Sequence, residues 1–227
     1  HRVDRRQRQM CIRDRRRMAV DQLARRTRKP RADAARNRER LLEAASEVFN
    51  LGRADASLEA VARQAGVGIG TLYRHFPTRE ALFEAVYRRE VQQLVILAEQ
   101  LQGDPSSLDA VRRWVHALVG FVAIKKGMSS ALAVVAQSSS ELAQCMLEQM
   151  VRALDSLLRR AAAQRQTRSD VGAEDILRAL VGICYMQDGP DWQPKVLRLA
   201  DVFLDGLRQG GQDRFQRQGS ALSTQLQ

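Results

Sequence analysis

Apolar residues recur three and four positions apart along most of the chain, and the two-residue alternation of a strand is nearly absent. A side chain repeats its direction every 3.6 residues in a helix and every second residue in a strand. The pattern therefore predicts an all-α fold. Leu41, Leu42, Ala45, Val48 and Phe49 share one face of a helix over 33–51, and Gly52 suits the stop after it. Ser57 is the expected N-cap of a helix over 58–65 with Leu58, Val61, Ala62 and Ala65 turned inward, and Gly66 ends it. A short helix covers 68–74. Thr78 then caps a long one, with Arg79 and Glu80 in its first turn, that carries Leu82, Phe83, Val86, Tyr87, Leu94 and Val95 down to Leu101. The stretch Gly103–Ser107 breaks the chain, and further helices are expected over 107–124, 128–136, 139–164, 173–187 and 192–209. Residues 210–227 are polar and expected to fray. No short repeat stands out, so a solenoid is not expected.

With 227 residues, 44% of them hydrophobic, the chain can bury a sizeable core. It holds no run of about 18 apolar residues, and so no predicted membrane span. Its Arg-rich start lacks the apolar centre of a secretory signal, which makes the cytoplasm the expected location. The formal charge of +11 is unevenly placed. Residues 41–227 hold 21 basic and 21 acidic side chains, residues 16–40 hold ten and three, and residues 1–15 hold six and two. A basic arm thus precedes a neutral body. Cys11, Cys145 and Cys184 show no CxxC and no neighbouring His pair, which excludes a disulfide framework or a zinc site. Cys145 and Cys184 read as small buried hydrophobes, with a redox-sensing pair as the other reading. The histidines are His1, His75 and His116, and no metal spacing, nucleophile elbow or paired carboxylates accompany them. No catalytic residue, metal or cofactor is expected, and the chain does not read as an enzyme.

The stretch AGVGIGTLYRHFPTRE, Ala65 to Glu80, has two readings. A dinucleotide-binding glycine loop needs a buried strand before it, a long helix after it and a third glycine where Thr71 stands. None of these is present. A helix-turn-helix fits each residue. Gly66 permits the left-handed backbone of a sharp turn, Val67 plugs the interhelical angle and Gly68 opens the second helix. Leu72 and Phe76 point to the core. Ile69, Gly70, Thr71, Tyr73, Arg74 and His75 are left on the other side, the mixed face a recognition helix needs in a major groove. Gly70 allows close backbone approach, and Thr71 can touch a base edge or a thymine methyl. Tyr73, His75, Arg79 and the first backbone N–H groups of the long helix can meet phosphates. Tyr73 and His75 can equally pack against neighbouring helices, and Arg74 can be a solvated charge.

The sequence from Ala35 to Tyr87, with its pattern G-V-x-x-G-T-L-Y-x-H-F-P, resembles the DNA-binding domain of the tetracycline-repressor-like (TetR) family of bacterial regulators. That resemblance implies a three-helix DNA-binding head and a helical body for ligand binding and dimerisation. It implies a homodimer on a palindromic double-stranded operator, most often a repressor freed by a small molecule. Carried over by motif position, Ser57, Gly68, Ile69, Gly70, Thr71, Tyr73, His75 and Arg79 form the DNA-facing set. Gly68 stands where the family usually has Ser, which removes a capping hydroxyl, and Arg79 stands where Lys is common. The expected domains are a disordered basic arm over 1–32, a head over 33–78, a body over 79–209 and a disordered tail over 210–227. Within the arm, Arg5 to Arg15 (RRQRQMCIRDR) resembles the translation of a sequencing-library transposon adapter, which makes 1–15 a gene-assembly scar and Met18 a plausible native start. The rest of the arm can lie along phosphates or enter a minor groove, or serve as a solubilising tail.

Arg159 to Arg208 resembles the C-terminal part of one TetR subgroup, whose last two long helices pair with their symmetry mates. Leu177, Leu180, Val181, Val196, Leu199, Phe203 and Leu207 are the seam candidates on that analogy. Trp114, His116, Phe121, Met128, Cys145, Met146 and Met150 suit a cavity for a small apolar or amphipathic ligand, and suit an ordinary core equally. The alternative function is non-specific, architectural DNA binding driven by the arm, with steep salt dependence and little sequence preference.

Overall fold

The computed structural model describes residues 33–50, 57–128, 140–187, 189 and 191–208. The expected arm, the polar tail, Gly52 and the helix expected beyond Met128 lie outside these residues. Among the described residues there are eight helices and no strand: α1 (33–50), α2 (Leu58–Gln64), α3 (Ile69–His75), α4 (Arg79–Leu101), α5 (Ser107–Gly127), α6 (Ser140–Ala163), α7 (Ala173–Met186) and α8 (Trp192–Gly206).

Local chemistry sets three helix starts. The Ser57 hydroxyl accepts from Ala60 N at 3.1 Å, Thr78 Oγ1 from Ala81 N at 3.1 Å and the Ser106 hydroxyl from Asp109 N at 3.2 Å. Each satisfies an N–H that the first helical turn leaves without a partner. Two ends differ from expectation. Helix α5 runs to Gly127 rather than 124, and Met128 is its C-cap rather than the start of the next helix. Tertiary contacts hold those extra residues: Met128 is 1% exposed, and Lys126 Nζ donates to Cys184 O at 3.1 Å and Gln187 O at 2.7 Å. Helix α8 stops at Gly206 rather than 209, because Arg168 N donates to Leu207 O at 2.8 Å and draws the chain into a bridge between Thr167 and Arg208.

Two apolar cores result. The first joins Leu41, Phe49, Val61, Leu72 and Phe76 to Leu82, Phe83 and Val86 of α4 and to Ile124 and Met128 at the end of α5. The second joins α4 from Val91 onward to α5, α6, α7 and α8 around Trp114, Leu118, Leu154, Leu177 and Val196. Helices α1, α2 and α3 alone have too little apolar surface for a core, so α4 and α5 complete the head. The head core therefore extends past residue 78, where the sequence suggested a boundary. Polar contacts tie α1 to α4: Arg89 pairs with Glu39 at 2.7 Å, and the Ser46 hydroxyl donates at 2.6 Å to Glu90, which also pairs with Arg89 within α4. The ends of α1 and α5 touch backbone to side: a Cβ on Gly127 would lie 2.0 Å from Phe49 O.

Candidate nucleic-acid interface and body cavity

The turn between α2 and α3 is built from backbone hydrogen bonds. Val67 N donates to Ala62 O at 3.0 Å and Gly66 N to Arg63 O at 3.0 Å, with Gly66 at φ +65°. This is the Schellman closure of a helix end. Gly68 caps α3 without a side chain, and its carbonyl accepts from Thr71 N at 2.8 Å. Leu72 and Phe76 are 0% and 2% exposed, so they fix which flank of α3 faces out.

That outer flank is open. Gly68, Ile69, Gly70, Tyr73 and Arg74 are exposed, while Thr71, His75 and Arg79 are half-buried. A Cβ added at Gly68 or Gly70 would meet nothing within 4 Å. The His75 ring packs at 6.4 Å from Phe76 while keeping an exposed edge. The Arg79 guanidinium lies over the Phe83 ring at 5.1 Å, at the start of α4. Ser57 is half-buried at the start of α2, its oxygen engaged as the cap. Arg38 of α1, absent from the sequence-derived set, lies over the Phe76 ring at 4.9 Å and adds a cation beside the end of α3. A basic residue on the polar side of α1 was the only signal for it. The assembly is a short polar ridge between cationic rims, which can enter a groove while its flanks meet phosphates.

The body contains a cavity of about 460 Å³ between α4, α5, α6 and α7. Of the seven ligand candidates, Phe121 and Met150 line it. The others lie elsewhere. Trp114 is fully buried in the body core, its Nε1 donating to Leu94 O at 2.9 Å, which satisfies the indole without a ligand. Met128 belongs to the head core and Met146 to the body core. Cys145 is exposed on α6 and accepts from Gln149 Nε2 at 3.5 Å, contrary to the expectation that both cysteines are buried. Cys184 is buried, and burial pushes its thiol up to about 11. His116 Nε2 meets Asp201 at 2.9 Å, beside Arg112, which binds Asp201 at 2.6 Å and Asp205 at 2.7 Å. Among the described residues no group of His, Cys, Asp and Glu is placed to hold a metal, and no helix is long and apolar enough to cross a membrane.

Sequence reasoning missed Tyr87, Lys125, Leu147 and Tyr185 in the cavity wall, along with Val122, Ala143, Arg178 and Gly182. One signal was available: Phe121, Val122 and Lys125 share a face of α5 by spacing. The seam candidates divide. Leu177 and Val181 line the cavity, and Leu177, Leu180, Val196 and Leu207 are buried in the chain's own core, which removes those four from any surface a second copy could touch. Phe203 is half-buried and Leu199 is 45% exposed. Met186, at the end of α7, is 82% exposed, and Val202, on α8, is 71% exposed.

Comparison with known proteins agrees with this arrangement. The family described as bacterial regulatory proteins, tetR family, matches residues 41–86, and that described as transcriptional regulator SbtR-like, C-terminal domain, matches residues 106–209. An HTH-type transcriptional regulator of Staphylococcus aureus is 35% identical over 75 residues, 33% of this chain and 40% of that protein. The chain thus spans 40% of the length of such curated relatives. The crystal structure of a TetR transcriptional regulator from Streptomyces coelicolor is 41% identical, with a TM-score of 0.68 over 75% of this chain and 98% of that one. A TetR regulatory protein from Mycobacterium vanbaalenii is 32% identical, with a TM-score of 0.60 over 78% of this chain and 98% of that one. The chain belongs to the TetR family of bacterial transcriptional regulators.

Proposed function

We propose that this protein is a repressor that binds a palindromic operator as a homodimer and is released by a small molecule in its body cavity. The head over 33–78, with the first turns of α4, carries the reading element, and the body holds the ligand. Ile69, Gly70, Thr71 and Tyr73 face the major groove. Gly68, Ser57, His75, Arg74 and Arg79 serve the backbone contacts around it, with Arg38 beside them. The observation that carries this reading is the outward flank of α3, held open by the burial of Leu72 and Phe76 on its other side. A single reading helix contacts few bases, so two half-sites about one DNA turn apart supply the remaining affinity. The exposed Leu199 and Val202 support pairing through α7 and α8.

Release follows from the reach of α5. Phe121, Val122 and Lys125 line the cavity, and Ile124 and Met128 sit in the head core a few residues on. A ligand that shifts the end of α5 also shifts the surface on which the head rests. It frees the operator if it binds the misplaced arrangement better than the DNA-bound one. The test is a gel shift of the full chain on the DNA upstream of its own gene, against scrambled duplex, at two salt concentrations. A repressor of this kind retains its preference for the cognate duplex at the higher salt. Equal binding to both duplexes with steep loss in salt would instead mark an architectural DNA binder.

A further inference from the structure

We propose that the body cavity takes a monovalent organic anion, a carboxylate on an apolar body, with its head on the Lys125 ammonium and its body along Phe121, Leu147, Met150 and Leu177. This inference rests on the reading of that cavity as the ligand site.

Three observations on charge support it. Lys125 lies over the Tyr87 ring at 5.7 Å, and burial alone lowers its pKa, with no neighbouring carboxylate offsetting the cost among the described residues. No Asp or Glu among the described residues lines the cavity. The second cation there, Arg178, is committed to Glu174 through bonds of 3.0 and 2.6 Å. The adjacent Lys126 makes a useful contrast, since its ammonium is already engaged by two backbone carbonyls. An ammonium partly withdrawn from water without a counter-charge carries a cost, and an incoming anion offsets it. A cationic ligand would add to it, and a neutral one would leave it in place. One uncompensated charge fits one carboxylate rather than a dianion. Burial also raises the pKa of Tyr87 and Tyr185, so both phenols stay protonated as donors rather than competing anions. The rest of the wall is apolar, and the volume of about 460 Å³ suits a small amphipath.

Calorimetric titration of the full-length protein with decanoate, 2-naphthoate, 1-decanol and decyltrimethylammonium tests the proposal, with operator release read in parallel. The carboxylates are expected to bind at least about tenfold more tightly than the alcohol, the worth of one charge-assisted hydrogen bond. The decyl and naphthyl bodies distinguish a chain-shaped ligand from a flat one. Lys125→Met should abolish the preference for carboxylate, and Lys125→Arg should keep it. The wild-type comparison stands on its own if a variant does not fold. Equal binding of alcohol and carboxylates, preference for the cation, or no carboxylate binding at millimolar concentration overturns the proposal. Operator release by the cation or the alcohol would overturn the anion class and leave the ligand-release reading standing. Carboxylate binding that depends on Lys125 without operator release would support the anion class and overturn the release reading.

Discussion

At Gly66 the backbone lies at φ +65°, and a Cβ there would stand 2.8 Å from Nη2 of Arg40. A side chain in this region of backbone space costs roughly 1–2 kcal/mol. Gly66→Ala is therefore expected to lower stability by about that amount, read by urea unfolding, since the flexible Arg40 can move aside. The face of α3 has a different signature. Thr71→Ala should weaken binding at particular base positions by about 1–3 kcal/mol, whereas Arg79→Ala should weaken all duplexes alike. Titration against single-base operator variants separates the two. An equal loss on cognate and random DNA for Thr71→Ala would refute its assignment to base contact. The turn at Gly66, the caps at Ser57 and Thr78 and the inward pair Leu72 and Phe76 were legible in the sequence because their chemistry is local.

At the scale of helices, α5 has one end in each core. Gly127 is small because Phe49 O occupies the place of its Cβ, so Gly127→Ala must force α1 and α5 apart. A loss of about 1–3 kcal/mol is expected, the usual range for overpacking, together with a change in operator affinity that thermal melts and gel shifts report side by side. The contact of α5 with α8, where Arg112 and His116 meet Asp201, has a pH signature. Burial works against the charge of Asp201, but hydrogen bonds from His116 and Arg112 outweigh it and hold its pKa below 3.8. A depressed carboxylate stabilises the fold above its unfolded pKa and loses that contribution as pH falls through the folded value. The stability gap between wild type and Asp201→Asn should thus be widest at neutral pH and close as pH falls below 3.8. Urea midpoints across that range provide the check. The extension of α5 to Gly127 was not legible, because "KKG" reads as a helix end while its reason lies in α7 and in the head. Trp114 and Met128 were ambiguous for the same reason: size and softness suit a ligand wall or a core, and only packing decides.

The whole molecule joins an open polar flank on α3, a cavity and exposed apolar residues on α7 and α8. The cavity escaped the sequence because Tyr87, Lys125, Leu147 and Tyr185 come from four helices that meet only in the fold. The apolar surface was partly legible: the family resemblance pointed to Leu199, which is exposed, but could not assign Leu177, Leu180, Val196 and Leu207 to the inside. Val202→Glu should therefore convert a dimer to monomers in sedimentation velocity, while Tyr73→Ala should leave the assembly intact. The most direct measurement is hydroxyl-radical footprinting of the full chain on the DNA upstream of its gene. A paired reading ridge predicts two symmetric protected patches about 34–36 Å apart, or a multiple of that spacing, lost with Tyr73→Ala. Uniform protection without symmetry, or patches unchanged by Tyr73→Ala, would contradict it.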